Sequence, residues 1–271
     1  MSAGGRARWA ATLRTPIGAV SAVLVAALVV LAVVAPAAFG HGASTDDVAA
    51  ALQGPSGRHL LGTDALGRDL LDRVLVATRT SLLMALLATL ISTVGGLLLG
   101  AVPAVVGRRA GGLVGAFITL TVAFPGLLLA MFLSIIFGLG ERGALLAIGL
   151  SGVPSVARLA QTLGASIADA DYVTAARMLG VRRARVITRH ILPNIAEPLV
   201  ISVTLSIGSA LLAFAALSFL GLGVQPPAYD WGELLNQGLS QISTDPAASL
   251  GPAVAVVVAG SAFNLLGDAI A

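Results

Sequence analysis

There is no cysteine and no lysine in these 271 residues. Without cysteine there are no disulfides, no thiolate nucleophile and no sulfur-ligated metal. Without lysine there is no Gly-Lys-Ser/Thr phosphate loop, so the usual P-loop ATPase is excluded and any ATP-driven work falls to another polypeptide. Charge is scarce too: 11% of the residues are Asp, Glu, Lys or Arg, against about 25% in a soluble domain. Aromatics make up 4%. The arginines are spread among loops rather than set in a basic stripe with stacking rings, which argues against a nucleic-acid partner despite a formal charge of +3. His41, His59 and His190 lie in separate segments and make no metal set, and Ser, His and Asp form no local nucleophile motif, so no catalytic residues are expected.

Apolar residues are what the chain has in excess, at 57%, with a mean hydropathy of +0.96. One globular core cannot hide that much apolar surface, and a lipid bilayer is its natural solvent. Crossing the bilayer takes about 20 residues at 1.5 Å each. Six stretches qualify: 17–39, 81–106, 113–139, 143–167, 198–220 and 250–266. The fold class expected is therefore an all-α, polytopic membrane protein with six transmembrane helices. The first stretch follows Arg6, Arg8 and Arg14 and ends at Ala35-Pro36-Ala37, as a signal peptide would, but its apolar run is longer than a signal core and predicts an uncleaved helix.

Arginine bias sets the orientation. With the N-terminus inside, the cytoplasmic side holds Arg6, Arg8, Arg14, Arg108, Arg109, Arg158, Arg177, Arg182, Arg183, Arg185 and Arg189, and the outside holds Arg58, Arg68, Arg73, Arg79 and Arg142. Eleven against five satisfies the positive-inside rule and, after six spans, places both termini in the cytoplasm. The chain divides into a first helix with its N-terminal segment (1–40), an extracytoplasmic loop (41–80) and a transmembrane core (81–271) that carries a long cytoplasmic loop, 169–197. In the fifth span Ser202, Ser206, Gly208 and Ser209 are small enough for close helix packing, at a pore or a dimer seam.

The cytoplasmic loop reads as a helix, a glycine turn and a basic helix. Asp171 suits an N-cap. Tyr172, Ala175, Ala176 and Leu179 share one helical face, Gly180 suits the left-handed turn that ends a helix, and Arg182, Arg185 and Arg189 line the helix that Pro193 stops. Two readings fit these residues: an amphipathic segment lying on anionic headgroups, or a docking element for a soluble partner. Outside, Asp64, Arg68, Asp69, Asp72 and Arg73 alternate in sign over what reads as a short helix able to pair at i, i+4, while Gly62 and Gly67 permit tight turns. That segment is either a self-satisfied surface helix or a platform at a translocation mouth. Its arginines and spacing disfavour an oxygen-only metal site.

These segments resemble the permeases of binding-protein-dependent ABC importers of the dipeptide, oligopeptide and nickel type. Thr174-Ala175-Ala176, Gly180 and Leu192-Pro193 follow the spacing of that family's cytoplasmic EAA loop, with Thr174 in place of the glutamate and His190 in place of an isoleucine. His59 to Asp69, HLLGTDALGRD, Ala123-Phe124-Pro125, Leu217 to Pro227 with Trp231-Gly232, and Ala262 to Asp268 match further family segments in order. The resemblance implies the type I importer permease fold, most similar to the C-type subunit of a permease pair, in the bacterial inner membrane. It implies a homologous second permease, two ATPase subunits that hold ATP and Mg, and an extracytoplasmic substrate-binding protein. No cofactor is implied in this chain.

Asp171, Tyr172, Thr174, Ala175, Ala176, Arg177 and Gly180 are then expected to form the ATPase-coupling helix. Thr63, Asp64, Arg68 and Asp69 are expected at the binding-protein contact or pore mouth. The implied cargo is a di- or oligopeptide, with nickel chelates, haem or another small solute as alternatives. An ion-coupled secondary transporter is the competing class. It is disfavoured because such proteins carry ionisable groups inside their spans, whereas here Arg158 is nearly alone.

Overall fold

The computed structural model describes residues 15–106, 108–168, 178, 181, 183–186 and 192–271. Among them the regular structure is helical: α1 (Pro16–Ala38), α2 (Gly40–Ser44), α3 (Leu70–Val106), α4 (Arg108–Val122), α5 (Gly126–Phe137), α6 (Glu141–Ala168), α7 (Arg183–Val186), α8 (Leu192–Phe219), α9 (Trp231–Leu239) and α10 (Ala247–Ile270). Five helices are long and apolar enough to cross a membrane, and α4 with α5 makes a sixth crossing if the bent pair counts as one.

Three helices begin at a side-chain cap that the sequence supplies. Thr15 accepts the Gly18 N–H at 3.1 Å and Pro16 opens α1, a position where its missing N–H is no loss. Asp69 accepts the Asp72 N–H at 3.0 Å at the head of α3. Asp230 accepts the Glu233 N–H at 2.8 Å at the head of α9.

Two spans differ from the sequence reading. The second starts at Leu70 rather than Ser81: Arg73, which depresses the hydropathy there, is buried and paired with Asp64, while Asp72 is half-buried and Arg79 exposed. The third is not continuous. Pro125, with φ −57° and ψ 119°, stands between α4 and α5, which meet at 99°. Proline removes the backbone donor and pushes its predecessor out of the helical region, so the Ala-Phe-Pro segment is a corner.

α3 is the central element, packed on α1, α6 and α8. Its seam with α6 is built from glycines. A Cβ on Gly96 would lie 2.5 Å from Val156 Cβ, and one on Gly149 would lie 2.8 Å from Ile91 Cβ. The backbones therefore approach as only small residues allow. Three apolar clusters stack through the molecule. The outer one joins Val74, Leu211, Trp231 and Phe263. The middle one joins Met84, Ile148, Phe214 and Leu217. The third joins Val186 of the 169–197 loop to Ile195 and Leu199, with Leu97 and Leu159 against them. The flank of α1 stays uncovered, with Val23 and Val33 about two-thirds or more exposed at 67% and 72%, as a lipid-facing surface requires.

Candidate functional site: an outer polar clamp above a hydroxyl-lined cleft

The outer loop is a turn, not the short helix read from its charge pattern. Thr63 and Asp69 pair across it as an antiparallel bridge. Gly67 has φ +78°, and a Cβ there would strike the Asp47 carbonyl. A helix has no place for that conformation. The Asp64–Arg68 pairing expected at i, i+4 does form, at 2.8 Å, but across the turn.

Asp64 is the hub of this turn. Its Oδ1 accepts the N–H groups of Leu66 and Arg68 at 2.9 and 3.0 Å, and its Oδ2 accepts from the guanidinium groups of Arg68 and Arg73. Burial alone would raise its pKa. The Arg68 and Leu66 hydrogen bonds and the Arg73 charge outweigh that and hold the carboxyl below its ordinary value. Thr63 Oγ1 donates to the Ala50 carbonyl and accepts the Gln53 N–H at 2.9 Å. His59 Nδ1 lies 2.8 Å from Asp69 Oδ2. Of the four residues expected at the mouth, Thr63 and Asp64 are thus buried, and Arg68 and Asp69 are part-exposed.

Arg73 carries the clamp across to the second outer segment. It is buried, donates to Gln237 Oε1 at 3.2 Å and lies 4.5 Å from the centroid of the Tyr229 ring. Trp231 completes the join: its Nε1–H donates to the Val74 carbonyl at 2.9 Å and its N–H to Ser81 Oγ at 3.1 Å. Asp230 accepts the Ser218 hydroxyl at 2.8 Å. Burial pushes its carboxyl up to about 6 against the pull of the Glu233 N–H and Ser218. Two motifs separate in sequence, HLLGTDALGRD and the Leu217–Gly232 segment, therefore form one polar assembly.

Below the clamp lies a cleft of about 380 Å³ between α3, α5, α6 and α8. Its lining includes Thr89, Ser92, Ser151, Ser155, Ser206 and Ser209 among alanines, glycines and aliphatic side chains, with no charged residue. Leu127, Ser155 and Ser209 are exposed, so this side of the cleft is open. Four of the hydroxyls donate back to their own helices: Ser92 to Thr89 O, Ser151 to Ile148 O, Ser206 to Ser202 O and Ser209 to Leu205 O, at 2.7 to 3.3 Å. Among the described residues the Thr89 hydroxyl has no partner. Gly208 turns away, towards Asn264 of α10, so the small residues of the fifth span divide between the cleft and helix packing.

A hydroxyl-lined, uncharged groove in a bundle of spans, capped by a rigid outer clamp, suits passage of a solute rather than chemistry on it. Residues 92–271 match the family described as binding-protein-dependent transport system inner membrane component. The chain belongs to that family. Relatives extend the match towards the N-terminus. The dipeptide transport system permease protein of Alkalihalophilus pseudofirmus is 32% identical over 93% of this chain and 83% of its own length. The di/tripeptide transport system permease protein of Pseudomonas aeruginosa is 39% identical over 81% and 72%. The nickel transport system permease protein of Escherichia coli is 34% identical over 83% and 81%. This binding-protein-dependent permease is thus a membrane subunit of an ABC importer, a multi-pass inner-membrane protein and not an enzyme.

Of the expected coupling helix, Asp171, Tyr172, Thr174, Ala175, Ala176, Arg177 and Gly180 lie outside the described residues. Further along the same loop, Val186 is buried beneath α8 while Arg185 is exposed. Sequence reasoning missed Tyr229, Asp230 and Gln237 as members of the clamp, since nothing local pairs them with Arg73. It singled out Ser206 and Ser209 of the cleft but missed the hydroxyls of α3 and α6. Their signal was legible as Thr89 with Ser92 and Ser151 with Ser155, at i, i+3 and i, i+4 in otherwise apolar spans.

Proposed function

We propose that this permease forms one half of the translocation pathway of an ATP-driven peptide importer. The cleft carries this reading. α3, α5, α6 and α8 line it, and its open side at Leu127, Ser155 and Ser209 needs a second, homologous permease to close it. The peptide assignment draws on the relatives named for dipeptides, di/tripeptides and D,D-dipeptides. A nickel chelate is the second reading, favoured by the relative named for nickel.

Two ATPase subunits bind ATP and Mg, and the loop 169–197 meets them. Asp171, Tyr172, Thr174, Ala175, Ala176, Arg177 and Gly180 form the coupling helix, with its alanine face in a groove of the ATPase. A substrate-binding protein docks over the outer mouth. There Thr63 and Asp64 shape the loop from within, and Arg68 and Asp69 stand nearer its surface. Both termini are cytoplasmic, in keeping with the arginine bias. The nucleotide state of the ATPase pair drives transport only by binding the two permease conformations unequally.

Bulk at the alanine face tests the coupling. With the partner subunits co-expressed, Ala175→Trp is expected to leave insertion intact and to abolish uptake of labelled dipeptide, because a packed contact tolerates little added volume. The ATPase either dissociates on purification or hydrolyses ATP without transport. Normal uptake with a retained ATPase would move the docking surface elsewhere.

A further inference from the structure

The uncharged cleft has one fixed charge beside it that the clamp does not use. Arg158 is the sole charged residue of α6 between Arg142 and Ala168. At 1.5 Å per residue it lies about 25 Å along the helix from Glu141, close to the inner edge of a hydrocarbon core about 30 Å thick. It follows Ser151, which lines the cleft, by seven residues. That spacing puts it on nearly the same flank of α6, about 20° away in azimuth and about 10 Å further in.

Arg158 is exposed, and its Nη1 donates to Thr119 Oγ1 of α4 at 2.8 Å. Threonine is neutral, so this bond orients the guanidinium without compensating its charge. Among the described residues no carboxylate lies within salt-bridge distance of it. A charge at the rim of a bilayer core with no counter-ion among the described residues is costly and marks a candidate site. The lining cannot serve an anion well, because four of its six hydroxyl protons are committed to helix carbonyls. A passing oxyanion needs donors, and the remaining arms of the guanidinium fork are what this flank supplies.

We propose that Arg158 is an oxyanion-binding residue at the inner end of the cleft, receiving the carboxylate of a solute on its way out. Thr119 is its positioning residue. The inference rests on the cleft being this chain's half of the pathway. A peptide always brings such a carboxylate at its C-terminus. A lipid phosphate offers the same chemistry, but Arg158 shares its flank with Ser151 of the cleft, which favours the solute.

The absence of cysteine makes the test clean, because one introduced thiol is the only thiol on this chain. In the assembled importer, Ser155→Cys and Ser209→Cys are each treated with sulfonatoethyl and trimethylammonioethyl methanethiosulfonate. Modification of this chain is followed by mass and normalised to Ser56→Cys in the outer loop. The anionic reagent is expected to outpace the cationic one at Ser155→Cys, and Arg158→Gln should cut that preference roughly ten-fold, the scale of a single charge acting over several ångströms at a partly screened site. Arg158→Lys and Thr119→Val should keep most of it. The preference at Ser209→Cys should change little.

Failure of either thiol to react would sink the pathway reading of the cleft. Reaction with a charge preference that Arg158→Gln does not move would leave the pathway standing and overturn the oxyanion assignment. A preference present only in vesicles free of anionic lipid would assign Arg158 to a headgroup phosphate and overturn it as well.

Discussion

The outer end and the middle of this permease are held together by opposite means. Outside, the clamp joins Asp64, Arg73, Gln237 and Trp231 through bonds that each need a specific donor and acceptor. In the middle, α3 and α6 meet where side chains are missing, at Gly95, Gly96 and Gly100 against Val153, Val156 and Ala157, and at Gly149 and Gly152 against Ile91 and Ser92. A buried polar network is damaged by subtraction, since removing one partner strands the other. A glycine seam is damaged by addition, since its only requirement is room.

The largest effect is expected at the clamp. Asp64→Ala strands the buried Arg73 guanidinium, and losing one member of a buried ion pair costs about 3–5 kcal/mol. Thermal unfolding of the purified complex should fall markedly, and the double variant Asp64→Ala with Arg73→Met should recover part of the loss. A double variant as unstable as the single one would deny that the stranded charge is the cause.

Next comes the seam. Gly96→Val places a branched side chain against Val156, and overpacking costs typically about 1–3 kcal/mol. Removing the neighbour's Cβ as well, with Val156→Gly, should recover part of the loss, because the closest contact of a Cβ at 96 is the Val156 Cβ itself. Equal damage in both backgrounds would mean that the seam is not held by close approach.

The smallest effect is a pH slope. Asp230 has its folded pKa raised to about 6 by burial. Between its ordinary value of 3.8 and about 6 the folded clamp holds a proton that the unfolded chain releases. Its contribution is fully present below that window and is lost as pH rises through it. Asp64, held low, acts in the other direction, and its contribution disappears as pH falls below its ordinary range. Asp230→Asn should flatten the decline between pH 4 and 6 in unfolding scans, and an unchanged slope would place the titrating group elsewhere.

The two regions were also unequally legible in the sequence. The spans could be read because lipid demands long apolar runs, whereas the starts at Thr15, Asp69 and Asp230 follow a local capping rule that the reading did not apply there. Arg73 misled the reading of α3, since its charge signalled a loop while its partners at Asp64 and Gln237 bury it in a helix. The helical reading of the Asp64 segment failed because it weighed charge spacing above Gly62 and Gly67, whose φ values of +77° and +78° make the turn. The corner at Pro125 was present in the sequence, but the apolar residues on both sides of it read as one continuous span.

The membrane-crossing part of α3, Leu70–Ala101, is an unbroken rod of 32 residues, about 48 Å long at 1.5 Å per residue. It is gripped by the clamp at one end, borders the cleft at Ala88, Thr89 and Ser92, and meets the inner cluster through Leu97. A rod of that length works as a lever with little slack: pivoting it by about 5° swings its far end by about 4 Å. A displacement at its Leu97 end would therefore reach the clamped end in the same stroke, because Leu70–Ala101 contains no break that could absorb it.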